Sequence, residues 1–243
     1  RQFLTTIEDS DNEWVLQRYL TAFAQAYDPH CEYMSPASEE DFDIDMKLSL
    51  VGIGALLRAE DGAAKIVRLI PGGPASRDKR DKRLRPGDKI IAVAQGDEEP
   101  VSILHWPLYK AVRLIRGEKG TTVVLTVIPA SDPTESTTKE VDLVRDEVKL
   151  EAREAKSETR TLQREDATLK MGVIELPAFY ADLKGKRLNP NYKSSSRDVA
   201  KILRAMQEDD VDGIILDLRN NGGGSLLEAV LMTGHFIQTG PTV

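Results

Sequence analysis

The chain has 243 residues, 40% of them hydrophobic, enough for two compact cores without a metal or a disulfide. Its formal net charge of −7 argues against a general nucleic-acid binder, which needs a basic surface. A single cysteine, Cys31, excludes an internal disulfide and a cysteine-built metal site, and no apolar run approaches the roughly 20 residues that span a bilayer. The chain begins at Arg1 without a Met or a basic-then-apolar leader, which suggests a trimmed fragment.

In chain order, Trp14, Val15, Leu16, Tyr19, Leu20, Phe23, Ala24 and Tyr27 recur at helical spacing, with Asp9, Ser10 or Asp11 available as caps. Asp28-Pro29-His30 breaks that helix. Ser38-Glu39-Glu40-Asp41-Phe42, with a Ser cap and an acidic first turn, predicts a second one. His30 has no acid or nucleophile at a catalytic spacing and is expected to pack or cap a turn.

Leu48 to Leu57 contains Gly52-Ile53-Gly54-Ala55 at the mouth of a strand. Two glycines flanking one apolar residue let successive N–H groups point at an anion, with a peptide's terminal carboxylate as the natural guest. A tight turn is the plainer reading, and a dinucleotide loop lacks its third glycine and its helix. Strand-like Ala64–Ile70, the turn Pro71-Gly72-Gly73-Pro74, the turn and strand Leu84–Val93, a helix over 107–116, and strands at 121–128 and 139–144 follow.

This set resembles a bacterial-type PDZ domain. The resemblance implies that a C-terminal peptide adds as a strand beside Val51, Gly52, Ile53, Gly54 and Ala55. Leu108, Val112 and Ile115 share one helix face and are expected to line the groove, with a core role as the alternative, since Ala111 and Leu114 form a second stripe. Trp106 is expected to pack under that groove. The mixed-sign run 77–83 reads as a solvated loop or helix rather than a nucleic-acid or membrane patch. Residues 131–138 read as a hairpin loop.

Glu151–Asp166 is almost wholly polar and reads as a linker. Lys170–Leu176 predicts a strand, Leu188–Ser194 a loop, and Ser195 or Ser196 the cap of a helix through Met206 with Val199, Ile202 and Leu203 on its apolar stripe. Ile214–Leu218 is a buried strand that runs into Gly222-Gly223-Gly224, and Leu226–Phe236 returns to helical spacing. Three glycines between strand and helix can converge their N–H groups on a developing negative charge, the layout of an oxyanion hole, or can simply form a flexible turn.

Asp217-Leu218-Arg219-Asn220-Asn221-Gly222-Gly223-Gly224 resembles the glycine loop of the C-terminal processing peptidases, the tail-specific, PDZ-containing serine proteases. Asp28-Pro29-His30 with Tyr33-Met34-Ser35-Pro36, and Gly172-Val173-Ile174 with Phe179-Tyr180, match the same family. The resemblance covers residues 12 to 243. It implies an oxyanion donor at Gly223, with Gly222 and Gly224 as near alternatives, and a nucleophilic Ser and Lys base from segments beyond Val243. The run 77–83 is longer and more charged than the family's usual form. Ser225 lacks a base at hydrogen-bonding reach and the strained elbow of Gly-x-Ser-x-Gly, so it is not expected to be the nucleophile.

The expectation is therefore an α/β (α+β overall) chain in three parts: a helical segment at 1–46, a PDZ-like β-rich domain at 47–150, and a partial α/β protease body with a helix-covered sheet at 151–243. Its expected work is capture of proteins with apolar C-termini for cleavage by the full-length parent, this stretch being inactive alone. A non-catalytic peptide-binding module is the rival, and an acyl-thioester enzyme with a similar glycine loop a third reading. No cofactor, metal or nucleic acid is expected, an adaptor is left unspecified, and the resemblance implies the bacterial periplasm.

Overall fold

The computed structural model describes residues 12–163, 167–187 and 189–240. The described residues fall into two compact units, one built on Ser49–Lys149 with the stretch up to Val15, the other on Leu16–Leu48 and Leu150 onward. Helix α1, Asn12–Gln25, exposes Tyr19 and Phe23, and Phe23 stacks edge-on at 5.5 Å against Tyr27, exposed in the turn that follows the helix. The caps expected at Asp9, Ser10 and Asp11 lie outside the described residues.

Helix α2, Pro36–Lys47, starts earlier than expected. Ser35, not Ser38, is its N-cap, and Ser38 N donates to Ser35 Oγ at 3.3 Å. Pro36 explains the shift, because at the first helical position its missing N–H removes a donor that would have no partner there.

The first unit is a β-rich fold. Strand β1, Ser49–Gly52, leads to β2, Ala55–Glu60, and β3, Ala63–Leu69; then come a short helix α3, Pro74–Arg77, strands β4, Lys89–Gln95, and β5, Val101–Ser102, and helix α4, Leu108–Ile115. Strands β6, Thr122–Ile128, β7, Lys139–Val144, and β8, Asp146–Lys149, complete it. The main sheet runs β2-β3-β4-β6-β7, so β2 is an edge, while β1 pairs antiparallel with β8. The strict in-out alternation of Val123, Leu125 and Val127 buries all three completely, beside Ile66 and Ile90. Each such side chain contributes about 1.5–3 kcal/mol of transfer free energy.

Arg145 is buried near this core. It donates to the Ile115 and Leu114 carbonyls at 2.9 and 3.2 Å and to Gln95 Oε1 at 2.6 Å, closing the C-terminal end of α4, and burial lowers its pKa.

The second unit departs from the expected linker. Residues Lys156–Gln163 form β9, which pairs along its whole length antiparallel to β10, Thr168–Glu175. Every β9 residue is exposed, so no hydrophobic period marks it; β10 supplies the backbone partners that make it a strand. Helix α5, Ser195–Glu208, then crosses to β11, Gly213–Asp217, which runs parallel to β10 in the order β11-β10-β9, and α6, Leu226–Thr233, ends the described fold. Ser194 caps α5 in place of the expected Ser195 or Ser196. Leu188 lies outside the described residues. Ile174, Leu176, Tyr180, Val199, Met206 and Met232 form the core. The chain is thus α/β (α+β overall), with a β-rich unit and a partial, helix-covered mixed sheet.

Candidate functional site

Two clusters of backbone groups, one in each unit, are candidate sites. In the first, Gly52, Ile53 and Gly54 are buried at the junction of β1 and β2. Ile53 O accepts from Ala75 N and Gly54 O from Ile70 N, both at 2.8 Å, which pins the carbonyl side of the loop. The N–H groups of Ile53 and Gly54 have no partner among the described residues. Gly54 sits at φ +75°, and a Cβ there would lie 2.9 Å from Gly73 Cα, so both conformation and space demand glycine.

Val51 is half-buried in β1 opposite Glu147, and Ala55 opens β2 half-buried against the core. Helix α4 lies alongside β2, leaving a strip between an unpaired strand edge and a helix. Of the three residues expected to line it, Val112 is half-buried outside the core, Leu108 packs partly on the core, and Ile115, only 3% exposed, belongs to the core itself. Ile115 is thus a correction: the turn of α4 that carries it points with Ala111 into the β-rich interior. Trp106, expected beneath the groove, is 40% exposed.

The second site is the glycine loop between β11 and α6. Asn220 at φ +63°, Gly223 at +94° and Gly224 at +136° turn the chain sharply. Phe179 locks it: Phe179 N donates to Gly223 O and Ser225 N to Phe179 O, each at 2.8 Å. A Cβ on Gly224 would lie 2.8 Å from the Phe179 carbonyl carbon and nearer still to its oxygen. Gly222 N donates to Pro177 O at 3.3 Å, and Gly223 N to Asn221 Oδ1 at 2.8 Å. That leaves the Gly224 N–H as the one glycine donor of the loop without a partner among the described residues. Of the three glycines expected as oxyanion donors, Gly223 has its N–H engaged by the Asn221 side chain and Gly222 by Pro177 O.

Ser225 is the N-cap of α6, its Oγ accepting from Glu228 N at 3.4 Å. At the strand end, Asp217 accepts Arg219 Nη2 at 2.6 Å and Arg219 N at 3.0 Å; these hold its pKa at about 2, the side-chain bond contributing most.

Behind the loop lies a polar cluster that composition does not announce. Glu228, 1% exposed, accepts at Oε2 from Ser194 Oγ at 2.8 Å, Ser195 Oγ at 3.2 Å and Ser196 N at 2.9 Å. Its carboxylate therefore closes the N-terminus of α5, where the helix dipole favours negative charge. Nearby, Tyr180 Oη donates to Asp198 Oδ2 at 2.9 Å and accepts Ala155 N at 3.1 Å, and burial drives its pKa far upward. Burial also opposes ionisation of Asp198, yet the hydrogen bond from Lys193 outweighs it with the help of others and lowers the pKa.

His30 is exposed and paired with Asp28 at 2.9 Å. In the run 77–83, Arg80 bonds Asp78 and Asp142 at the surface. Among the described residues no group of three or more His, Cys, Asp or Glu could hold a metal ion, and no helix is long and apolar enough to cross a membrane.

Residues 170–243 match the model of peptidase family S41, and residues 1–37 match the tail specific protease N-terminal domain. The chain is similar to a tail-specific protease of Haemophilus influenzae, 38% identical over 94% of this chain and 30% of that protein. It is also similar to the carboxy-terminal processing protease CtpA of Bacillus subtilis, 27% identical over 89% of this chain and 39% of that one. A solved PDZ domain of a carboxy-terminal protease from Vibrio cholerae, in complex with peptide, is 41% identical; the match covers 42% of this chain and 100% of that one, with a TM-score of 0.39. The chain spans 30% and 39% of the length of the two curated relatives.

Proposed function

The chain belongs to the C-terminal processing, tail-specific peptidases, and from that premise we propose that its parent protein is a serine endopeptidase addressed by the C-termini of its substrates. The observation that carries this reading is the unpaired outer edge of β2 beside α4, entered through the free N–H groups of Ile53 and Gly54. An extended tail adds to that edge as a strand, its carboxylate takes the two N–H groups, and an apolar last residue rests against Val112 and the partly buried face of Leu108. Holding the tail raises the local concentration of the rest of the substrate at the cleaving unit of the same chain.

In the second unit, the Gly224 N–H supplies an oxyanion donor at a strand-to-helix junction. The nucleophilic Ser and Lys base lie outside residues 1–243 in this reading, since Ser225 is engaged as a helix cap. Residues 1–243 alone therefore bind tails and hydrolyse nothing. The periplasm of a Gram-negative cell is the proposed compartment, on family resemblance.

The test pairs binding with turnover in the full-length protein. Fluorescence titration with a peptide ending in an apolar residue and a free carboxylate should saturate, and the C-terminal amide of the same peptide should bind at least about tenfold more weakly. A substrate protein bearing the tail should be cleaved. Equal affinity for acid and amide, or binding without any cleavage, would favour the non-catalytic peptide-binding module instead.

A further inference from the structure

Asn221 joins two parts of the loop that sequence order keeps separate. Its Nδ2 donates to Leu176 O at 2.8 Å, at the end of the segment that follows β10, while its Oδ1 accepts Gly223 N at 2.8 Å. Both ends of one amide are thus used, which fixes its flip as well as its position. The consequence falls on the next peptide. With Gly223 N turned toward Asn221 and Gly223 O receiving Phe179 N, the peptide groups on both sides of Gly223 are held, and the second of them carries the Gly224 N–H. The Gly224 N–H is left without a partner among the described residues.

We propose that Asn221 is the positioning residue that selects Gly224, rather than Gly223, as the oxyanion donor. Asn221 need not touch the substrate. It acts by occupying the competing donor and tying the loop to Leu176, so that one N–H alone is presented and its direction is set before substrate arrives. Preorganised donors stabilise a transition state because no reorientation is needed when charge develops. This assignment rests on the endopeptidase reading above.

Two substitutions separate the two halves of the amide. Asn221→Ala removes both bonds and frees the Gly223 N–H. Asn221→Asp keeps an acceptor for Gly223 N but loses the donor to Leu176 O and adds a negative charge beside the developing oxyanion. In the full-length protein, both variants should lower kcat by about 10–100-fold, less than the roughly 100–1000-fold cost of removing an oxyanion donor outright, because the Gly224 N–H is misdirected and not lost. KM for a tail-bearing substrate should stay unchanged, because the tail is gripped in the other unit. Affinity for a peptide aldehyde, which presents a tetrahedral oxyanion, should fall in parallel with kcat.

Residue-resolved amide exchange gives a readout that does not depend on turnover. Gly223 should be protected relative to Gly224 in the wild type, should lose that protection in Asn221→Ala, and should keep it in Asn221→Asp. Equal exchange at the two glycines in the wild type, or variants with wild-type kcat and aldehyde affinity, overturns the assignment while leaving the endopeptidase reading intact. A wild-type protein that cleaves no tail-bearing substrate overturns that reading and this assignment with it.

Discussion

Gly54 and Gly73 meet backbone to backbone: a Cβ on Gly54 would lie 2.9 Å from Gly73 Cα, and a Cβ on Gly73 would lie 3.0 Å from Gly54 Cα. The contact lets the chain entering β2 pass under the turn that precedes α3. It also holds the Ile53 and Gly54 N–H groups in place, because the neighbouring carbonyls are bonded to Ala75 N and Ile70 N. Gly54→Ala should destabilise the β-rich unit by about 2–3 kcal/mol, the positive φ and the backbone clash acting together. Urea unfolding measures the loss, and tail affinity should fall by more than the unfolded fraction accounts for.

Val112 and Ile115 should part company although one helix face carries both. Ile115, buried in the core, should cost about 2–4 kcal/mol as Ile115→Ala and weaken tail binding only through folding. Val112, half-buried and outside the core, should tolerate Val112→Ala within about 1 kcal/mol yet weaken binding of an apolar-ended peptide several-fold. Thermal unfolding and peptide titration on both variants provide the comparison. Equal effects on binding and stability at both positions would show that α4 does not border the groove.

Alanine at the three loop glycines should give a graded series. Gly222 has a negative φ and open space around its Cβ position, so Gly222→Ala should be nearly silent. Gly223 has open space but φ +94°, a strain of about 1–2 kcal/mol. Gly224 combines φ +136° with collision against the Phe179 carbonyl, and Gly224→Ala should displace the loop and abolish turnover by the full-length protein. Denaturation midpoints and kcat should follow the same order.

Glu228→Ala should leave two buried hydroxyls and the Ser196 N–H without their shared acceptor, at a cost of about 3 kcal/mol. Glu228→Gln keeps one acceptor oxygen and should recover about half of that. The expected readout is a lower denaturation midpoint with an unchanged m-value.

Asp217 should titrate at about 2 in the folded chain, held there first by the Arg219 guanidinium and then by the Arg219 N–H. A depressed folded pKa means that its contribution to stability is complete above the ordinary carboxylate pKa of about 3.9 and is lost as pH falls through about 2. Carbon-13 titration of the Asp217 carboxyl should find its midpoint there, and Arg219→Gln should return it toward the ordinary value.

Where side chains keep a period, local chemistry suffices. The alternation through β6, the apolar stripe of α5 and the glycines between β11 and α6 each report which face meets a core or where the backbone must turn, so sequence alone determined the α/β class, the strand edge's glycine signature and the family. Ser225-x-x-Glu228 shows where that reach ends. Locally it is a capping box, whose Glu should return to the cap's own N–H, and only its first half forms. Phe179 O already holds Ser225 N, so the Glu228 carboxylate turns instead to the N-terminus of α5, more than thirty residues away in sequence. The same physics governs β9, exposed at every residue and a strand only because β10 offers it partners, and Gly223, whose donor is withdrawn by Asn221. Tertiary structure decided these points because a hydrogen-bonding group is claimed by the partner that packing brings nearest, and no spacing along the chain records which partner that is.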